Sequence, residues 1–334
     1  MSVRALLIAV LSVVCVGAAQ AADPIVVKFS HVVAPNTPKG MGAERFKTLA
    51  EQYSNGAVRV EVYPNSTLYK DKEEMEALQL GAVEIIAPSL AKFGPLGLRV
   101  FEAFDLPYIF DSYAELHKVT GGPLGARMLE SLEPRGIAGL AFWDNGFKSL
   151  SANAPIRVPD DLRGKKMRIQ SSKVLDAQMR ALGALPQVTA FDEVFAALKA
   201  GVVDGTENPH SNFFTQRMHE VQSHMLLTDH GYLGYAVITN KKFWDGLPGA
   251  VRDALARAMR EATDYTNQIA KAENDKALAA IRAAGTTEVR VPSAEERQAF
   301  KKALLPVHRA MAPRIGKDLI EAIYDETGFD PDDL

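Results

Sequence analysis

The chain has 334 residues, 47% of them hydrophobic and 24% charged, with a formal net charge of −3. That length supports about two domains of an ordinary globular protein, and so small a net charge gives no basic face for nucleic acid. Cys15 is the only cysteine, so no disulfide can form within the chain.

Residues 1–22 read as a cleaved export signal. Arg4 precedes an apolar run over 5–16, and Ala19-Gln20-Ala21 supplies the small-residue cleavage pattern near Ala21 or Ala22. Lipid attachment at Cys15 fails because Val14 stands where a small residue is needed. No later stretch is apolar over 18 or more residues, so no membrane span is expected.

Strands and helices then alternate. Residues 25–29 form a short apolar strand, and 43–54 place Phe46, Leu49, Ala50 and Tyr53 on one helical face before Asn55-Gly56. Val58, Val60 and Val62 alternate with polar residues as a strand. Asp71 with Glu74 resembles a capping box that opens a helix running to Gly81. Further strands are expected at 83–87, 136–142, 166–169 and 202–203, and further helices at 175–182 and 191–200. The rhythm is that of an α/β protein with parallel sheets covered on both faces.

Residues 250–284 contain neither Gly nor Pro, with Pro248 before and Gly285 after. They read as one helix on the order of 50 Å long, which would brace two domains, or as two helices broken near 267–273. Ser293 and Glu296 open another helix, which Pro306 should kink or break.

Ligands in open α/β sheets sit at the carboxyl ends of strands. Such ends hold Ser89 and Lys92, Asn145 and Lys148, Arg168 and Ser171, and Asn208. A guanidinium forks onto a carboxylate through two parallel hydrogen bonds, and a nearby amide can complete it. Three cations exceed the need of one carboxylate and suit two, Arg168 on one and Lys92 with Lys148 on the other. His31 and His230, near strand ends, could also touch the ligand.

A series of motifs in order resembles one family. They are Phe29-Ser30-His31-Val32-Val33, Val62-Tyr63-Pro64-Asn65-Ser66, Leu78-Gln79-Leu80-Gly81-Ala82, Phe104-Asp105-Leu106-Pro107-Tyr108, Trp143-Asp144-Asn145-Gly146-Phe147-Lys148, Gly164-Lys165-Lys166-Met167-Arg168 and Asp204-Gly205-Thr206-Glu207-Asn208-Pro209. Nearly the whole chain after residue 22 is similar to the solute receptors of tripartite ATP-independent periplasmic (TRAP) transporters, the DctP family, and most of all to the four-carbon dicarboxylate branch. The resemblance implies a two-domain periplasmic-binding-protein fold with a cleft between domains and a long helix across both. One domain would hold residues 23–145 and 234–273, the other 146–233 and 274–334. Arg168 would bind a ligand carboxylate, Asn208 would support it and Phe191 would line the site. Lys148 would fall where some relatives carry a second basic contact, and Ser89 with Lys92 on the opposite domain's loop.

The expected role is therefore periplasmic capture of malate, succinate or fumarate and delivery to small and large membrane permease subunits. Another organic acid (a keto acid, longer diacid or sugar acid) and service to a sensor kinase are the alternatives. No Gly-x-Ser-x-Gly, Gly-x-Gly-x-x-Gly or phosphate-binding loop argues for an enzyme, and no catalytic residue or cofactor is assigned. His219 and His224 are five residues apart, off a shared helical face, so no metal site is expected.

Overall fold

The computed structural model describes residues 23–331; the expected export signal at 1–22 lies outside the described residues. The strands are β1 (Ile25–Ser30), β2 (Val58–Tyr63), β3 (Ile85–Ile86), β4 (Ile137–Phe147), β5 (Ser149–Ala152), β6 (Lys166–Ile169), β7 (Leu185–Val188), β8 (Gly205–Asn208), β9 (His224–Leu226), β10 (Tyr232–Asn240) and β11 (Glu288–Arg290). They form two sheets, ordered β2-β1-β3-β10-β4 and β11-β9-β5-β8-β6-β7. The chain crosses between the sheets at Lys148, again over 227–231, and a third time over 241–287 on the way from β10 to β11.

The sheets are mixed rather than parallel throughout. β10 runs antiparallel to β3 and β4, and β5 antiparallel to β8 and β9. These exceptions are the strands joined by the crossovers. β4 leaves one sheet and continues as β5 of the other, and the return through β9 enters β10, so local continuity overrides the parallel rule of βαβ units.

The helices are α1 (Pro38–Tyr53), α2 (Glu74–Gln79), α3 (Tyr113–Thr120), α4 (Pro123–Glu130), α5 (Lys173–Ala181), α6 (Val194–Lys199), α7 (His210–Thr215), α8 (Lys241–Gly246), α9 (Gly249–Ala284), α10 (Ala294–Leu304), α11 (Pro306–Ile315) and α12 (Lys317–Thr327). α9 is continuous over 36 residues, about 54 Å at ~1.5 Å per residue. Val251, Leu255, Ala258 and Ala262 recur at helical spacing and pack on the first sheet with Phe46 and Trp143. Gly42 of α1 meets this helix so closely that a Cβ there would stand 2.1 Å from Thr266 Oγ1. Farther along, Ile281 joins the core that holds Val203, Phe213 and Met225 of the second sheet's side. Polar bonds fix the helix at its middle. Trp143 Nε1 donates to Thr263 Oγ1 at 2.8 Å, Asp144 N to Asn267 Oδ1 at 2.9 Å and Asn274 Nδ2 to Asn145 O at 2.7 Å. Gly285, at φ 66°, ends it.

Ser293 and Glu296 make both bonds of a capping box, and Pro306 opens α11 after α10 has ended. The C-terminal helices turn back across the molecule: Ile320 and Ile323 of α12 share a core with Leu116 and Val119 of α3. The segment 306–327, expected with the second domain, thus packs in part on elements of the first. Two local expectations also change. Residues 202–203 are a turn, and the strand there begins at Gly205. Asp71 caps nothing, since α2 opens at Glu74 without a side-chain cap.

Candidate functional site

Alternation along two neighbouring strands sorts the polar residues of the second sheet. On β6, Met167 and Ile169 enter the core with Leu150 and Leu175, which turns Arg168 to the opposite face. Arg168 is in register with Thr206 of the parallel β8, so Thr206 and Asn208 lie on the same face as Arg168. Glu207 lies on the other.

Arg168 is 1% exposed. Its only hydrogen bond to protein among the described residues runs from Nε to Thr189 O at 3.0 Å; the carboxylates of Asp71 and Glu207 act on it through space. Burial lowers its pKa from the ordinary value. Asn208 Nδ2 donates to Thr206 Oγ1 at 3.2 Å, while Asn208 Oδ1 is buried without a partner. Half a turn of the amide exchanges its oxygen and NH2, so this side chain can offer either atom to a ligand.

The first sheet contributes a second group of buried polar atoms. His31 follows β1 and is fully buried, with neither ring nitrogen in good hydrogen-bond geometry and the Val33 backbone as a polar neighbour. Burial, and then the nearby Lys39 ammonium, push its pKa down to about 3. Lys39 stands at the second position of α1, behind Thr37, whose side chain accepts from Gly40 N. It is 0% exposed, donates from Nζ to Ala87 O at 2.9 Å and lies 3.8 Å from the centre of the Tyr235 ring. Burial pushes it down to about 8.

Contacts across the seam join the two groups. Gln170 Nε2, two residues from Arg168, donates to Ser89 Oγ at 2.7 Å. Asn145 Nδ2 donates to Asn212 Oδ1 at 2.9 Å and to Tyr235 OH at 2.8 Å, while Asn145 Oδ1 accepts from Ser211 Oγ at 2.8 Å. Phe191 N donates to Asp71 Oδ2 at 2.9 Å, and the Phe191 side chain packs with Val32, Val33 and Phe213. A cavity of about 300 Å³ opens at the outer end of the seam, lined by Asp71, Lys92, Gln170, Ser171 and Thr189 among others.

Of the ten residues singled out from the sequence, Arg168, Asn208, Phe191, Ser89 and His31 meet around this seam. Asn145 is there too, but its amide is satisfied by protein. Exposed Ser171 faces the outer cavity.

Of the three remaining residues, Lys92 also lines the outer cavity while Lys148 and His230 lie apart from it, and all three have protein carboxylates as partners. Lys92 is paired with Asp71 and with Glu74, the latter at 3.0 Å. Lys148 reaches Glu207 Oε1 at 2.8 Å, and His230 Nε2 lies 2.9 Å from Glu207 Oε2. Both are thus on the face of the sheet away from Arg168. Burial alone would raise the Glu207 carboxyl, but Lys148 and then His230 bring it down to about 2. Each lysine of the expected clamp's second half thus already has a protein carboxylate as partner. Sequence reading missed Lys39, Tyr235 and Asn212. One signal for Lys39 was available, since a cation directly after a Thr-Pro helix start opposes the helix dipole.

Residues 29–314 match the family described as bacterial extracellular solute-binding protein, family 7, DctP. The chain is 66% identical over 306 residues to the C4-dicarboxylate-binding periplasmic protein DctP of Rhodobacter capsulatus, covering 92% of each. Its fold is similar to that of a TRAP periplasmic solute-binding protein from Sulfurospirillum deleyianum solved with bound succinate, at TM-score 0.87 and 43% identity over 90% of this chain and 98% of that one. A second, from Pseudomonas aeruginosa with bound L-malate, matches at TM-score 0.84 and 42% identity over 86% of this chain and 100% of that one.

Proposed function

This chain belongs to family 7 of the bacterial extracellular solute-binding proteins, the DctP family, and from that membership we propose that it captures four-carbon dicarboxylates such as succinate, fumarate and malate between its two lobes. The observation that carries the reading is Arg168. A guanidinium 1% exposed, with one backbone carbonyl as its hydrogen-bonded partner, is costly unless an anion completes it. Its planar fork fits a carboxylate, and Asn208 beside it supplies an amide. Phe191 covers the same place from the loop held by Asp71.

Binding here would need no bond to be made or broken. The lobes built on the two sheets close over the acid and exclude water, which strengthens each ion pair while adding a desolvation cost. About −8 kcal/mol, a micromolar dissociation constant, suffices for a scavenging receptor. The ligands bound in the two similar structures, succinate and L-malate, support the four-carbon diacid as substrate.

Residues 1–22 would direct the chain to the periplasm, where the loaded receptor would dock on the small and large membrane subunits of a TRAP permease. Among the described residues no helix is long and apolar enough to cross a membrane, so passage itself falls to those subunits.

A thermal-shift series on dialysed mature protein tests the reading. Succinate, fumarate and L-malate should each raise the melting temperature in a saturable way. Stabilisation by monocarboxylates alone, or by sugar acids in preference to all three diacids, would overturn it.

A further inference from the structure

We propose that Lys39 is the second anchor of the site, its buried ammonium taking the far carboxylate of the bound acid beside His31, and that it makes the receptor select dianions over monoanions. The inference rests on the dicarboxylate reading above and names the group that reads the ligand's second end.

Four cations lie largely buried near the seam and the crossovers: Lys39, Lys92, Lys148 and Arg168. Lys92 and Lys148 each have a carboxylate within ion-pair distance. Arg168 and Lys39 do not; each has a single backbone carbonyl as its hydrogen-bonded partner. These two come from opposite sides, Arg168 from β6 of the second sheet and Lys39 from the helix after β1 of the first. Asp71 is near enough to act through space on both, and Glu74 acts through space on Lys39 more strongly than Asp71 does.

Lys39 is poorly placed for a structural role. It stands in the first turn of α1, where the helix dipole disfavours a cation. It is wholly buried, and the Tyr235 ring returns only part of the hydration it has lost. An ammonium has three donors, and Ala87 O accepts one. Next to it His31 has two buried ring nitrogens, neither in good hydrogen-bond geometry, and Ser30 Oγ is buried and unpartnered. A carboxylate accepts several hydrogen bonds, so one carboxylate could serve Lys39 and the His31 ring N–H together. Tyr235 ties this pair to the seam, through the Asn145 bond and its bridge to Ser89.

The test compares wild type, Lys39→Met and Lys39→Gln by calorimetry with succinate and with butyrate, which keeps the four-carbon chain and one carboxylate. Wild type should prefer succinate by at least about 100-fold. Both variants should lose succinate affinity by about that factor, while butyrate affinity changes less than about threefold. Ligand-free Lys39→Gln should remain folded at the assay temperature, and the retained butyrate affinity shows that a succinate loss is local to the second carboxylate. Unchanged succinate binding in the variants, or equal losses for both acids, would each overturn the assignment. A wild type that binds no diacid would instead overturn the dicarboxylate reading itself.

Discussion

Asp71 Oδ2 accepts a hydrogen bond from Phe191 N at 2.9 Å, joining residues 120 positions apart across the seam between the two sheets. Burial raises the Asp71 carboxyl, but Lys92 and the Phe191 N–H outweigh it and hold it below the usual carboxylate range. Asp71 therefore fastens the loop that carries Phe191 while remaining anionic.

Asp71→Ala should release that loop and speed ligand dissociation. A hydrogen bond to a charged group contributes about 1.5–3 kcal/mol, so succinate should bind on the order of tenfold more weakly. Lys92 keeps Glu74 as a partner, so the ligand-free melting temperature should move little. The exposed Lys72–Glu193 pair serves as control, since Lys72→Ala should change affinity less than about threefold. Stopped-flow dissociation unchanged in Asp71→Ala would contradict the fastening role.

Lys148 and Glu207 answer to stability. Both are 1% exposed, and they clamp the crossover at Lys148 to the strand carrying Asn208, with His230 of the second crossover on the other Glu207 oxygen. Removing one partner leaves an uncompensated buried charge, so Lys148→Met or Glu207→Gln alone should cost about 3–5 kcal/mol in urea melts. The double variant should cost less than the two single losses added together. Strict additivity would show that the pair is not coupled.

The strands and the long helix were legible because their signals are local and repeated. Val58, Val60 and Val62 alternate, and residues 249–284 carry an unbroken apolar stripe between Pro248 and Gly285. Arg168 and Asn208 were legible from the resemblance, and strand alternation then places them on one face. What local pattern hides is the partner of a charge. Lys92, Lys148 and Lys39 read alike in sequence, yet Glu74, 18 residues from Lys92, and Glu207, 59 from Lys148, neutralise the first two. Lys39 has no carboxylate within ion-pair distance; Glu74 and Asp71 act on it only through space. Asp71 looked like a cap by its spacing to Glu74, and long-range pairing with Lys92 and Phe191 claimed it.

His31, His210 and His308 each contribute stability that falls on acidification below neutrality. Burial lowers His31 to about 3 and His210 and His308 to about 4. The unfolded chain takes up these protons from about pH 6.5 downward. Their contribution is therefore complete above that value and is lost as pH falls towards the folded values. Asp105 has the opposite sign: burial raises it to about 7, so the folded state holds its proton first and gains stability as pH falls below 7. Burial lowers His219 as well, while it raises Glu74 and Asp229, which side with Asp105, so the histidine contribution is read from a single variant. His210→Gln should remove about one proton from the slope of stability against pH in urea melts at pH 7, 6 and 5; an identical slope would contradict the assignment.

On the proposed function, Arg168 grips a ligand carboxylate through its fork. Isothermal titration of succinate into wild type and Arg168→Lys tests it most directly, because lysine keeps the charge and loses the paired geometry. Affinity should drop at least tenfold, about 1.4 kcal/mol or more, with the ligand-free variant still folded. Equal affinities in the two proteins would contradict the claim.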